Sequence, residues 1–309
     1  MDRGDRPPQL ILCVDDDEDV RQILQEVVGH LGHTGATAAD GLDALEKLTA
    51  DHFDIVITDL KMPEMDGIEL IRRIRAEFTD VDVIAVTGHH TEFKYTDVIE
   101  AGACDFISKP FHLNELEAKI NRIVRERELR ADLKWLSTRD GLTGLYNRRY
   151  FDENLRHEVI RAFRQNYSLY LLFIDLDGLK GYNDKYGHQK GDTLLIELAE
   201  IIQDNIRNNV DSAFRYGGDE FAVVLPYADQ QQALLVAERL LSKFNDRNLS
   251  LASISVGMAK LEGSSETLES DFEELIRKAD QALYRAKASG GNRVWAAEVP
   301  VTITNPSPR

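Results

Sequence analysis

The chain has 309 residues, with 37 Lys and Arg against 54 Asp and Glu, a formal charge of −17, and is 43% hydrophobic and 29% charged. That length predicts two globular domains, and so acidic a chain repels phosphate backbones, which excludes nucleic acid as an expected partner. Two cysteines, Cys13 and Cys104, are too few for a disulfide framework or a zinc cluster; with no signal-peptide pattern and no apolar run of the ~18–20 residues a span needs, a cytoplasmic protein without membrane contact is expected.

From Leu10 to Phe111 short apolar runs alternate with amphipathic stretches. Residues 10–14, 36–39, 54–58, 82–87 and 105–108 read as strands. Between them Val20, Ile23, Leu24, Val27, Val28 and Leu31, and then Ile68, Leu70, Ile71 and Ile74, recur at helical spacing. Strands separated by single helices predict a doubly wound parallel sheet covered on both faces. Ligands of such sheets sit at the carboxyl ends of the strands.

Residues 112–138 hold no Gly or Pro, and Leu113, Leu116, Ile120 and Ile123 keep helical spacing. The pattern skips through Arg127 and resumes at Leu129, Leu133 and Leu136, like a heptad seam with a phase break. Two readings stay open: a coiled-coil-like linker between a domain at 1–111 and the next, or the last helix of the first domain running on.

Residues 139–298 read as a second α/β domain. A strand is predicted at 167–177, helices at 192–206, 231–244 and 272–288, and a further strand at 251–256. Two apolar runs around a glycine pair at 212–226 read as a β-hairpin. Residues 299–309 are expected to form a flexible tail.

Asp15, Asp16 and Asp17 follow the first strand and Asp59 the third, so acidic groups converge at one sheet edge and need a cation. Hard oxygen ligands suit Mg²⁺. Thr87 ends the fourth strand and Lys109 follows the fifth, bringing a hydroxyl and an ammonium to the same rim; Pro110 suits a cis turn there. Through VDDDE (14–18), DLKMPEMDG (59–67), VTG (86–88) and SKP (108–110), residues 1–111 resemble the response-regulator receiver domain, a flavodoxin-like fold. The resemblance implies that Asp59 accepts a phosphoryl group from a histidine kinase or a phosphotransfer protein. It implies that Asp15, Asp16 and Asp59 hold Mg²⁺ with a backbone carbonyl near Lys61, and that Lys109 and Thr87 meet the phosphoryl oxygens. Asp17 leaves the register open by one position, with the strand end favouring Asp15 and Asp16. Phe106 is either the aromatic that rotates when Thr87 moves or a static core residue.

In the second domain Asp175 and Asp177 end the long strand, and Gly217, Gly218, Asp219 and Glu220 occupy the hairpin turn. Glycines there permit close approach of a phosphate or base, and acids from two strands suit a two-metal site. RYGGDEF (215–221), with DGLTGLYNRRYF (140–151), FIDLDGLKGYND (173–184), GHQKGD (187–192), ISVGMA (254–259) and ALYRAKASGGNRV (282–294), resembles the GGDEF family of diguanylate cyclases.

That resemblance implies a palm-like nucleotidyl-cyclase fold that joins two GTP into cyclic di-GMP and releases two pyrophosphates, one GTP per subunit of a homodimer. Asp175, the carbonyl of Leu176 and Asp219 would hold Mg²⁺, with Asp219 and Glu220 in the catalytic role. Asn183 and Asp192 would read guanine, Lys180 and Lys287 would meet the phosphates, and Gly217 and Gly218 would line the substrate. Which group takes the 3′-hydroxyl proton stays open, Asp219 being one candidate. Asp192 favours guanine, whose N1–H and 2-amino group donate to a carboxylate.

Two departures matter. Gly291 stands where many relatives carry an arginine. The inhibitory RxxD pattern would need Arg at 208, where the chain has Asn208 with Asp211 retained and Arg207 one position out of phase. The expectation is a phosphorylation-regulated diguanylate cyclase; the alternative is a catalytically weak sensor or docking module under receiver control.

Overall fold

The computed structural model describes residues 8–88, 95–247, 251–263 and 267–297; the tail expected at 299–309 lies outside the described residues. The chain divides into two compact units, Met1–Asp132 and Leu133–Arg309.

The first unit runs β1 (Leu10–Val14), α1 (Glu18–His30), β2 (Thr34–Ala38), α2 (Gly41–Ala50), β3 (Ile55–Asp59), α3 (Gly67–Glu77), β4 (Asp82–Thr87), α4 (Tyr95–Ala101), β5 (Asp105–Ser108) and α5 (Leu113–Thr138). Its strands form a parallel sheet in the order β2-β1-β3-β4-β5, the flavodoxin-like arrangement. β1, β3 and β4 are buried on both faces, so their unbroken apolar runs divide by alternation between two cores. Leu12, Val14, Val56, Val83 and Ala85 pack with α2, α3 and α4. Ile11, Cys13, Ile57, Ile84 and Val86 pack with α1 and α5. Asp17, Asp40 and Asp66 cap α1, α2 and α3, each carboxylate accepting from a backbone N–H in the first turn.

The expected linker does not begin at 112. Leu116, Ile120, Ile123 and Val124 lie in the core of the first unit, so the early turns of α5 complete the first domain, and the unit boundary falls within α5, after Asp132. The single seam with a phase break is likewise corrected. At about 3.6 residues per turn, Arg127 continues the stripe of Leu116, Ile120 and Ile123, where it reaches Asp54 and Asp82. Leu129, Leu133 and Leu136 occupy the opposite side and are 55%, 66% and 67% exposed. Leu113, 54% exposed, belongs to neither core.

The second unit continues with β6 (Tyr146–Asn147), α6 (Arg148–Gln165), β7 (Leu169–Asp177), α7 (Leu179–Tyr186), α8 (His188–Asp204), β8 (Ser212–Arg215), β9 (Glu220–Pro226), α9 (Gln230–Asn245), β10 (Ser253–Lys260), α10 (Leu268–Ala288) and β11 (Val294–Ala296). The sheet order is β11-β10-β7-β9-β8-β6. β7 lies between antiparallel β10 and β9. Tyr170, Leu172, Ile174 and Leu176 of β7 face α8 and α9, while Leu169, Leu171 and Phe173 face α6 and α10. Gly257 allows α10 to press on β10, because a β-carbon there would lie 2.2 Å from the Leu283 nitrogen.

The strand expected at 251–256 runs four residues further, through Met258 and Ala259, which pair with β7. The helix expected at 192–206 begins at His188 and ends at Asp204. α10 starts at Leu268, where Thr267 caps it.

Candidate phosphoacceptor and nucleotide sites

In the first unit the carboxyl ends of β1, β3 and β5 deliver Asp15, Asp59 and Lys109 to one point. Lys109 Nζ donates to Asp15 Oδ2 at 2.6 Å and to Asp59 Oδ2 at 2.7 Å. Burial lifts the Asp15 carboxyl above its ordinary range despite that lysine. Burial disfavours the Lys109 ammonium, but hydrogen bonds to the two carboxylates outweigh it and hold its pKa above the usual lysine value. The other oxygen of Asp59 accepts from the backbone N–H of Leu60 at 2.6 Å and of Lys61 at 3.3 Å.

Carboxylate oxygens of Asp15, Asp16 and Asp59 lie within 4.8 Å of one another, with Asp16 exposed. Asp17 caps α1, its Oδ1 accepting from Asp19 N. Gly67 has a steric reason: a β-carbon would sit 2.2 Å from the Asp59 carbonyl oxygen. Thr87 is buried at the end of β4, and its carbonyl accepts from Lys109 N at 2.6 Å. Lys109–Pro110 is cis. Phe106 is half-buried against the α2–α4 core and meets the Tyr95 ring edge-on at 6.1 Å.

In the second unit Asp175 of β7 stands opposite Glu220 of β9, and Leu176 N donates to the Asp219 carbonyl at 3.0 Å. The antiparallel register thus gathers Asp175, Leu176, Asp219 and Glu220 at one sheet edge. Burial raises the Asp175 carboxyl, with the charges of Asp219 and Asp177 pushing the same way, against the hydrogen bond from Lys287. Lys287, in the last turn of α10, places Nζ 2.6 Å from Asp175 Oδ2. The lysine expected at the phosphates therefore neutralises the buried acid here.

Asp177 serves the scaffold. Its Oδ2 accepts from Ser255 Oγ at 2.7 Å, Ser253 Oγ at 3.2 Å and Asn292 N at 3.4 Å, tying β7 to β10 and to the turn after α10. In that turn Gly290, Gly291 and Asn292 all have positive φ, and a β-carbon on Gly291 would lie 3.1 Å from Asp177 Oδ2. The turn is held by Asp177 without an arginine at 291.

Arg215 supports the glycine turn and carries a role that the sequence reading missed. Its guanidinium donates to the Gly218 carbonyl at 2.7 Å and to Asp140 Oδ1 at 3.0 Å. Burial raises the Asp140 carboxyl, but hydrogen bonds from Thr143 and Arg215 outweigh it and hold the group below its ordinary range. The signal was present in DGLTG, an Asx-turn pattern, yet only the fold shows which arginine meets it.

Asn183 lies on α7, and Asp192 lies exposed near the start of α8. Lys180 is exposed on α7. Asp211 is buried and engaged by Arg207, whose backbone N donates at 2.7 Å and guanidinium at 2.6 Å.

Residues 11–121 match the response regulator receiver domain family, and residues 137–293 match the family described as diguanylate cyclase, GGDEF domain. The response regulator PleD of Caulobacter vibrioides is 32% identical over 302 residues, covering 92% of this chain. The chain spans 65% of PleD's length. The diguanylate cyclase DgcS of Shewanella oneidensis is 44% identical over 156 residues, half of each chain. The crystal structure of the coiled coil and GGDEF domain of DgcB from Caulobacter crescentus, in complex with c-di-GMP, superposes with a TM-score of 0.54 at 29% identity, covering 59% of this chain and 97% of that one. Among the described residues no helix is long and apolar enough to cross a membrane. With more than half its length in the matched cyclase domain and a receiver fold before it, the chain belongs to the GGDEF family and joins that domain to a response-regulator receiver.

Proposed function

We propose that the chain is a phosphorylation-controlled diguanylate cyclase that condenses two GTP into cyclic di-GMP and two pyrophosphates. The observation that carries the reading is the convergence of Asp175, Leu176 and Asp219 at one sheet edge beside Lys287.

The residues present fit Mg²⁺ in both units. Asp15, Asp16 and Asp59 supply hard oxygen donors within reach of one ion. Asp175 is a buried carboxylate whose charge is balanced by an ammonium in the structure, and Asp219 and the Leu176 carbonyl complete an all-oxygen donor set. Bound there, Mg²⁺ would make the 3′-hydroxyl more acidic and offset charge growing on the phosphates.

The protein's own groups then divide the work. Asn183 and Asp192 hold the guanine, Lys180 and Lys287 meet the phosphates, and Gly217 and Gly218 let backbone approach them. Arg215 keeps the turn in place through Gly218, and Asp219 and Glu220 take the catalytic role, Asp219 being a candidate to accept the 3′-hydroxyl proton. One domain binds one GTP, and the attacking hydroxyl belongs to the other, so the active species is a homodimer. Leu129, Leu133 and Leu136, exposed on one side of α5, offer an apolar stripe for a second copy, as the coiled coil in the DgcB structure suggests.

In the receiver, Asp59 takes a phosphoryl group from a histidine kinase or phosphotransfer protein: the carboxylate oxygen bonds to phosphorus as the bond to the donor breaks. The added charge of about −1.5 to −2 draws on Lys109 and Thr87, and Phe106 follows Thr87. The test is incubation of the purified chain with GTP and Mg²⁺, with and without acetyl phosphate, and chromatography of the products. Cyclic di-GMP is expected, with more formed after phosphorylation. No dinucleotide under either condition overturns the reading and leaves the sensor or docking alternative.

A further inference from the structure

Gly191 is buried in the first turn of α8. Its φ is not among the positive ones, so its backbone demands no glycine, and a glycine in a helix costs roughly 1 kcal/mol against alanine. The space it leaves is filled by Asn183 of α7. A β-carbon on Gly191 would lie 1.8 Å from Asn183 Oδ1 and 2.8 Å from its Cγ. That Oδ1 is buried and accepts no hydrogen bond among the described residues, an uncommon state for a buried polar atom.

We infer that Gly191 is a positioning residue for base recognition: its missing side chain lets the Asn183 carboxamide lie against α8 with Oδ1 turned inward. This inference rests on the proposed cyclase reading and deepens it at the guanine site. With the acceptor end packed away, Nδ2 is the end left to a ligand, and the neighbouring Asp192 adds an acceptor. A donor and an acceptor so placed complement an edge carrying an acceptor beside donors, as guanine does with O6, N1–H and its 2-amino group. With Nδ2 toward the position of O6 and Asp192 toward that of N1–H, adenine, which carries a 6-amino donor and an acceptor nitrogen at those two positions, is mismatched to both. The position would thus contribute to base choice without touching the base.

The obstacle that an alanine at 191 would meet is the tip of a mobile side chain, so Gly191→Ala is accommodated by turning Asn183 away, and α8 gains helix propensity. The expected result is a melting temperature equal to or above that of the wild type, together with about tenfold weaker binding of a non-hydrolysable GTP analogue with Mg²⁺. Preference for it over the ATP analogue should narrow in parallel. Titration calorimetry on the full chain measures both, and a double-mutant cycle with Asn183→Ala isolates the route.

If Gly191 acts through Asn183, adding Gly191→Ala to Asn183→Ala changes affinity by less than about twofold. Wild-type affinity in the single variant, or the same loss in the Asn183→Ala background, overturns the inference while leaving the cyclase reading intact. A wild-type chain that takes up no GTP analogue overturns the cyclase reading itself.

Discussion

Arg127 of α5 donates to Asp82 Oδ2 at 2.9 Å and to Asp54 Oδ1 at 2.8 Å, pinning the helix to the amino-terminal edge of the receiver sheet. Asp82, 2% exposed, also accepts from Arg130 at 3.1 Å and from the Cys104 thiol at 3.1 Å. Asp59 ends β3 at the opposite edge of the same sheet. Removing the Arg127 guanidinium leaves a buried carboxylate with one arginine fewer, a kind of loss that costs about 3–5 kcal/mol when no partner remains. Because Arg130 still reaches Asp82, Arg127→Met should lower stability by about 2–3 kcal/mol in urea unfolding of the full chain. Phosphorylation of Asp59 by acetyl phosphate should persist. Wild-type stability would show that the cluster holds nothing.

The same cluster sets an acid limit. Burial pushes the Asp82 carboxyl up, but hydrogen bonds from Arg127, Cys104 and Arg130 outweigh it and hold the group below its ordinary value. A carboxyl with a depressed folded pKa contributes stability above its unfolded pKa and loses that contribution as the pH falls through the folded one. Asp82→Asn should therefore be less stable than the wild type at neutral pH. The gap should close as the pH drops below the ordinary carboxylate range, near 4 and under. A gap that stays constant through acid would contradict the assignment.

Arg127 also shows where sequence reading stops. The strands of the receiver were legible because β1, β3 and β4 are buried on both faces and read as unbroken apolar runs. Lys109, Asp15 and Asp59 were legible because strand ends in a parallel sheet share one edge. α5 was not, because its two apolar stripes follow each other along one helix and resemble one seam; only burial separates Ile120 from Leu133. α7 has no buried residue, so it leaves no periodic trace, and α6 spaces Phe151, Leu155, Val159 and Ala162 among charges that dilute the pattern. Gly191 beside Asn183 is a contact between two helices, which no spacing encodes.

Lys287 and Asp175 make a further prediction about cations. With Nζ 2.6 Å from Asp175 Oδ2, the lysine occupies one oxygen of the carboxylate that the proposed Mg²⁺ site uses. Nucleotide phosphates would draw it away and free Asp175 when the metal arrives with GTP. Lys287→Met should bind Mn²⁺ more tightly than the wild type in the absence of nucleotide, by about threefold or more for one charge-assisted contact, followed by electron paramagnetic resonance. The same variant should bind the GTP analogue more weakly if Lys287 meets the phosphates as proposed. Unchanged Mn²⁺ affinity would mean that the pair does not compete with metal.

Feedback by product is the last expectation. The inhibitory pattern of the family needs an arginine at 208 and an available aspartate three residues on, but the Asp211 side chain is fully buried. Both of its oxygens are used by Arg207: Oδ2 accepts from the backbone N at 2.7 Å, and Oδ1 accepts from the guanidinium at 2.6 Å. That guanidinium also donates to the Pro226 carbonyl at 2.6 Å, so freeing Asp211 costs several contacts and leaves a buried charge. Micromolar cyclic di-GMP should leave the initial rate of the wild type within about twofold, because one lost charge-assisted contact already weakens binding by tenfold or more. Moving the arginine by one position, with Arg207→Asn and Asn208→Arg together, restores the spacing and releases Asp211. That variant should become inhibited if the sequence departure is the reason. Strong inhibition of the wild type that disappears in Asp211→Ala would show instead that the closed pair opens to the product.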